Sequence, residues 1–535
     1  MKPDYDIIIV GAGYSGIHCA AEIERMSASA RVLVLEASER IGGRAWTQPA
    51  EPEAGPAVDM GAHYFGVEHR RVQALARRLL GDQAIYSHVP NFGEDPAFRT
   101  LLGEQWRLTT RKSSFFNIQG LSKRAPLIDR IRIFESLTLY LALEALVDVR
   151  EPWNTPLAER LDRVTLAEWI AVQGMPQWIE DLWDLGCTGL LSAPPRQLSL
   201  LYWLWYNASN GGFLQAANDF TGGPQEFGVR GGMGNLLRQY AEGLRGGVRL
   251  GAPVGEIDHG GPEQVRITLA DGEQLTARRV IVAVSPATAG RTIHFSPALS
   301  GPRQRLHAQP MGHACKAVIE YEQPWWRASG GHHFIGYGGG AGSQGIEWAL
   351  DSSDPQGGPA TMLVFLNPLL FGRAGPDPEP AAIEALVAEE LVRVSGDERA
   401  RDYRRMAVMD WTAEPFVGGG PNTLMGCGVL SRLGPVFRRP EGPHGRLYFC
   451  AAEYALEYCG YLEGALEAGT FTAAQVDQDM QGEAGGRGVP PVPVRARRSQ
   501  PLRAVASAAA FVGLALVARV VSLLDAIEAR RRSRP

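Results

Sequence analysis

The sequence is poor in several features that would each point to a function. Among 535 residues there are six cysteines: Cys19, Cys187, Cys315, Cys427, Cys450 and Cys459. So few in so long a chain do not make a disulfide framework. Most lie in apolar stretches such as residues 447–450, so buried free thiols in a reducing compartment are expected. The eleven histidines are scattered, with no HExxH and no paired CxxC, which argues against a metal site. A net charge of −5 gives no reason to expect nucleic acid. The chain runs from Met1 straight into a strand-like segment, leaving no room for a signal peptide, so a start on the cytoplasmic side is expected. No internal repeat is present.

What is there is ordinary in bulk and specific in detail. Hydrophobic residues make up 45% and charged residues 21%, as in a globular protein, and the length suggests two domains plus extras. Residues 6–10 (Asp-Ile-Ile-Ile-Val) read as a strand buried on both faces, residues 17–26 as a helix, and residues 31–35 as a second apolar strand ending on Glu36. This βαβ unit fills the first forty residues, and residues 58–65 return toward it. Between about 67 and 215 the pattern is helical, with stretches at 127–149 and 166–190. Strand-like alternation resumes at 248–250, 265–269 and 280–284, then at 315–321 and 361–366. A helix is predicted over 381–394, and a strand, turn and helix over 446–476.

Gly11-Ala12-Gly13-Tyr14-Ser15-Gly16 follows a buried strand and opens a helix, the context that gives GxGxxG its meaning. Gly11 permits the tight turn, Gly13 lets a pyrophosphate approach the backbone, and Gly16 lets helix pack on strand. The helix amino terminus offers N–H groups and partial positive charge to phosphates. Glu36 lies twenty residues beyond Gly16, where a carboxylate can accept ribose hydroxyls. That much would serve NAD or FAD equally. The next segment, Glu39-Arg40-Ile41-Gly42-Gly43-Arg44, adds a second glycine pair and an arginine, which suits a cofactor longer than its adenosine half. Arg44 would pair with the pyrophosphate or guard its flavin side.

From here the chain resembles the flavin-containing amine oxidase family (monoamine, polyamine and L-amino acid oxidases). Asp59-Met60-Gly61-Ala62-His63-Tyr64 matches the family's Asp-x-Gly segment beneath the flavin. Gly231-Gly232-Met233-Gly234 followed by Val254 matches the stretch whose valine backbone holds the adenine. Tyr448-Phe449, Glu453 and Gly460-Tyr461-Leu462-Glu463-Gly464-Ala465 resemble the final strand, turn and helix that close on the ribityl chain and ring. These matches run in order from residue 6 to about 476. Ala451, where the family usually has glycine, is a departure.

The resemblance implies a fold and its boundaries. The fold class is α/β: an FAD-binding Rossmann-type (two-dinucleotide-binding) domain at 1–80, 220–295 and 440–480, interleaved with an α+β substrate domain at 81–219 and 296–439. A linker at 481–501 and a hydrophobic and basic tail at 502–535 follow. The resemblance also implies an activity, oxidation of an amine by hydride transfer to the flavin. The imine formed hydrolyses to a carbonyl, and reoxidation by molecular oxygen gives hydrogen peroxide.

Such chemistry needs an apolar, aromatic site with one polar group near the flavin N5. Lys316 stands alone in the apolar run 310–319 and resembles the family lysine that holds a water against N5. An unpaired lysine there would cost several kcal/mol, so chance placement is disfavoured. Trp411 and Tyr461 match aromatic positions near the flavin, and Tyr64, Cys187 and Gln225 fall where the family lines its substrate cavity. Gly420 and Pro421 stand where animal monoamine oxidases carry a flavin-linked cysteine and a cage tyrosine. FAD is therefore expected to be held non-covalently, with one wall of the cage missing. No arginine falls at a carboxylate-binding position, which speaks against amino-acid substrates. Two other readings stand beside the oxidase: a same-fold dehydrogenase or desaturase acting on a ring such as a dihydropyrrole, and a non-catalytic flavin-binding interaction protein.

The tail carries a last expectation. Residues 504–518 are an unbroken apolar run, extended past Arg519 to Leu524 and followed by Arg530-Arg531-Arg532. This approaches the length that spans a bilayer, and the arginines suit an anionic surface, so membrane association on the cytoplasmic face is expected. Animal monoamine oxidases also end in a tail anchor. A homodimer is a further expectation.

Overall fold

The computed structural model describes residues 2–49, 57–92, 97–102, 105–110, 126–216, 218, 221–327, 334–337, 345–375, 379–485 and 509–532. Two sheets organise them. The first is eight-stranded, in the order His294–Ser296, Val254–Asp258, Val265–Leu269, Gln274–Val282, Tyr5–Val10, Val32–Leu35, Val248–Arg249, with Leu447–Phe449 also paired to Gln274–Val282. Strand Tyr5–Val10 sits at its centre, parallel to both neighbours, Val32–Leu35 and Gln274–Val282. Burial on both faces explains the unbroken run of isoleucines, and Ile7, Ile8 and Ile9 are at most 1% exposed. Helix Tyr14–Met26 covers one face and packs on the long helix Leu462–Gly485.

The second sheet has seven strands, in the order Tyr403–Asp410, Cys315–Tyr321, Ala360–Leu366, Ile346–Asp351, Phe334–Tyr337, Ala97–Leu102, Gln105–Thr110. Cys315–Tyr321 is buried at every position and pairs antiparallel on both sides, Lys316 opposite Phe365 and Met409. Its outer face is covered by helix Pro380–Ser395, through Val387, Leu391 and Val394.

A helical group lies between 127 and 216. The periodicity predicted one helix over 166–190, whereas two form, Leu166–Val172 and Gln177–Leu191. Gly174 at φ 62° and Pro176 separate them, as positive φ and a missing N–H would. Helix Leu200–Ser209 (Leu-Leu-Tyr-Trp-Leu-Trp-Tyr-Asn-Ala-Ser) is buried nearly all round.

The linker expected at 481–501 lies, beyond Gly485, outside the described residues, as does the start of the apolar run at 504–508, and the described part of the tail departs from expectation. Among the described residues no helix is long and apolar enough to cross a membrane. Helix Ala509–Arg532 carries the charged residues Arg519, Asp525 and Glu528 among its apolar ones, and Val520, Leu523, Leu524 and Ile527 are buried in the same apolar cluster as the helical group. Ion pairs flank that face: Arg160 with Asp525 at 2.6 Å, Arg531 with Glu168 at 2.5 Å, and Arg519 with Glu135 at 3.2 Å. The apolar residues of this half have found a protein surface, which satisfies them as a bilayer would.

Candidate functional site

A cavity of about 620 Å³ runs between the two sheets, from the glycine loop after Tyr5–Val10 to the strand that carries Lys316. At the loop end the three glycines have three different surroundings. A Cβ on Gly16 would lie 2.0 Å from the Gly11 carbonyl oxygen. Gly11 adopts φ +108°, and a Cβ there would meet Val284 at 2.7 Å. A Cβ on Gly13 would meet only the Gly42 carbonyl at 3.8 Å, so Gly13 opens onto the cavity. Helix Tyr14–Met26 starts at Gly13 with no side-chain cap and no acid in its first turn, leaving its N–H groups to an anionic ligand. Glu36 is buried at the end of Val32–Leu35, accepting from the Ala12 N–H at 2.8 Å and the Ser38 N–H at 3.0 Å while lining the cavity. Ala252 and Val254 close the same end. An uncapped helix start, an open glycine and a carboxylate in sequence along one cavity fit the phosphates and ribose of a dinucleotide.

Arg44 projects into the middle. Its guanidinium donates to both oxygens of Glu453, at 2.7 and 3.1 Å, and to the Pro421 carbonyl at 2.7 Å. Glu453 is fully buried and also accepts from Thr423. The arginine is thus clamped to a carboxylate 409 residues away, rather than left free for an anion. Gly61 lies beside it, where a Cβ would be 2.0 Å from the Arg44 carbonyl oxygen and 3.0 Å from Trp411. Trp411 donates its indole N–H to Met60 O at 3.0 Å.

At the far end, Lys316 is buried, and its Nζ donates to the carbonyls of Asp59 at 2.6 Å and Gly61 at 2.9 Å. Burial lowers its pKa to about 8, and the Asp59 charge opposes the shift. Tyr64, Gln225, Tyr461, Leu462 and Gly43 all line the cavity. Cys187 does not: it is fully buried in the apolar core, and Gly189, Leu190 and Ser192 at the end of its helix reach the cavity instead. Gly16 and Glu453 lie behind the wall, one supporting the helix and the other holding Arg44.

Two lining residues escaped the sequence reading. Tyr206 stacks on Tyr461 with ring centroids 6.4 Å apart and planes at 23°, an aromatic pair at the end where a cage wall was expected to be missing. Its signal was hidden because every neighbour in Tyr202-Trp203-Leu204-Trp205-Tyr206 is also buried. His63 sits inside a segment read for its aspartate, its glycine and Tyr64, and lines the cavity beside them.

Comparison with known proteins agrees with this geometry. Residues 14–477 match the family described as flavin containing amine oxidoreductase. The chain belongs to that family. It is 27% identical to pig amine oxidase [flavin-containing] B over 486 residues, covering 89% of this chain and 86% of the relative. It is 28% identical to the rainbow trout (Oncorhynchus mykiss) amine oxidase [flavin-containing] over 488 residues, with the same two coverages, 89% and 86%. In structure it is similar to cyclohexylamine oxidase from Brevibacterium oxydans, with TM-score 0.76, 28% identity, and coverage of 90% of this chain and 100% of that one. Putrescine oxidase shares the fold, with TM-score 0.73, 23% identity, and coverage of 88% and 99%. The chain is therefore a flavin-dependent oxidoreductase of mixed α/β fold whose cofactor is FAD.

Proposed function

We propose that the chain oxidises a small amine, giving an imine that hydrolyses to a carbonyl, and passes the electrons to molecular oxygen as hydrogen peroxide. The observation that carries this reading is Lys316: a buried lysine at the cavity wall, held by two backbone carbonyls on the segment 59–61. Bound FAD would supply the hydride acceptor and then the electrons for oxygen. The chain's own residues do the rest. Gly13, the helix start behind it and Glu36 hold the adenosine and phosphate half, and the clamped Arg44 offers charge beside it without being free to move. Tyr64, Tyr461 and Tyr206 form apolar, aromatic walls that orient a neutral amine and exclude water. Lys316 places a titratable positive charge where negative charge develops on oxygen.

No cysteine stands at 420–421, both of which line the cavity, so the FAD is held without a covalent bond. Acid precipitation should release yellow FAD into the supernatant, and flavin remaining with the pellet would overturn that point. The activity is tested by a peroxide assay of the purified enzyme across primary, secondary and cyclic amines and amino acids, alongside anaerobic bleaching of the flavin. Bleaching without peroxide in air would favour a dehydrogenase. No bleaching by any amine would defeat the reading.

A further inference from the structure

Resting on the amine-oxidase reading, we propose that His63 is the proton acceptor for the incoming amine, reached through the hydroxyls of Tyr64 and Ser352 and backed by Asp59. Amines of this class are cations near neutral pH, as a lysine side chain is. Hydride can leave the α-carbon only when the nitrogen lone pair is free to take up the developing positive charge. The proton must therefore go somewhere, and a cavity with mainly apolar walls does not favour the cation.

The geometry supplies a route. His63 and Tyr64 both line the cavity, and their rings meet edge to face with centroids 4.4 Å apart. Tyr64 Oη donates to Ser352 Oγ at 2.9 Å, and Ser352 Oγ lies 3.3 Å from His63 Nε2. On the other side of the ring, His63 Nδ1 is 3.0 Å from Asp59 Oδ2. Asp59 is buried, and its carboxylate also accepts from the Thr47 hydroxyl and the Met233 N–H. A carboxylate so placed accepts a hydrogen bond from Nδ1–H and leaves Nε2 as the acceptor. Transfer then balances simply: the ammonium gives a proton to Tyr64, Tyr64 gives its own to Ser352, and Ser352 gives its own to Nε2. The products are a neutral amine and an imidazolium paired with Asp59.

The other titratable or charged groups around the ring fit this role. Tyr86 Oη is 3.3 Å from Nε2, and burial pushes its pKa well above the ordinary tyrosine value, so it remains a neutral hydroxyl. His88, beside Tyr64 with centroids 4.7 Å apart, is held neutral, chiefly by burial with His63 adding to the effect. Asp351 precedes Ser352 and is occupied by Arg327 and Trp326. Lys316 donates to the backbone carbonyls of Asp59 and Gly61, not to the Asp59 carboxylate.

The test uses holoenzyme and tert-butylamine, which has no α-hydrogen and cannot be oxidised. Its Kd is read from the flavin absorbance between about pH 7 and 9. In the wild type the proton stays within the complex, so Kd should be flat. In His63→Gln only the neutral amine can bind without a proton acceptor, so Kd should fall about tenfold for each pH unit gained. Tyr64→Phe, which cuts the route at its first hydroxyl, should show the same slope. Equal slopes in wild type and His63→Gln, with FAD retained in both, would overturn the role of His63. Wild-type enzyme that binds no amine at any pH would count against the amine-oxidase reading as well.

Discussion

The two ends of the cavity are built in opposite ways. At the loop end, function is written in backbone: an open glycine, an uncapped helix start, and one carboxylate at the end of the adjacent strand, all within residues 11–36. At the lysine end it is written in side chains brought together from afar. Lys316 meets Asp59, Tyr64 meets Ser352, and Tyr206 meets Tyr461, each across more than two hundred residues of chain.

The largest expected effect separates two glycines of one motif. Gly16→Ala puts a methyl 2.0 Å from the Gly11 carbonyl oxygen, a backbone atom of the tight turn that follows the central strand. A loss on the order of 4 kcal/mol is expected, read as a fall in yield and thermal midpoint even without FAD. Gly13→Ala should leave the apoprotein's midpoint unchanged, because its Cβ makes only an ordinary contact with the Gly42 carbonyl at 3.8 Å, and weaken FAD retention instead. Equal loss of apoprotein stability in both variants would break the distinction.

Next comes the joint between the two ends. Arg44→Ala leaves Glu453, 0% exposed, without its cation. Stranding a buried charge costs about 3–5 kcal/mol, so both the midpoint and the FAD content should drop. Glu453→Gln, which keeps the shape, should be milder.

Lys316→Met should act on one half-reaction only. Reoxidation by oxygen should slow by about ten- to a thousand-fold, or about 1.4 to 4 kcal/mol of barrier, while reduction by amine is nearly unchanged. Stopped-flow measurement separates the two. The pH dependence has a definite sign. The native pKa is lowered to about 8, so Lys316 loses its charge as pH rises through that value. Wild-type reoxidation should therefore decline above pH 8, and the variant should not. Stability moves the other way: between about 8 and the ordinary lysine value near 10.4 the unfolded chain binds more protons, so wild-type stability rises with pH across that window. A variant with unchanged reoxidation would mean that the lysine is structural.

The contrast between the ends also explains what could be read from sequence. The glycine loop and Glu36 are local, so spacing alone places them along one cavity. Lys316 was legible because a lysine among apolar neighbours is conspicuous. Tyr206 was not, since a helix buried on all sides shows no face. Cys187 misled for a related reason: one turn of helix decides between core and cavity, and the phase is set by packing that the sequence does not display. The tail shows the same limit, because an apolar run reads alike whether it meets lipid or protein.

That tail tests the comparison at its weak extreme, where side chains from distant segments meet near solvent. Its docked half combines an apolar face with ion pairs, and the two should contribute very unequally. Leu524 is fully buried, so Leu524→Ala removes contacts worth about 2–5 kcal/mol and should release the helix. Faster hydrogen exchange across 518–532, with FAD and activity intact, would show it. Arg531 and Glu168 are 44% and 30% exposed, and an ion pair in that setting is worth at most about 1 kcal/mol. Arg531→Ala should therefore leave exchange across the helix and the thermal midpoint nearly unchanged. If Arg531→Ala releases the helix as fully as Leu524→Ala, charge rather than apolar contact holds the tail, and the docking would weaken with added salt.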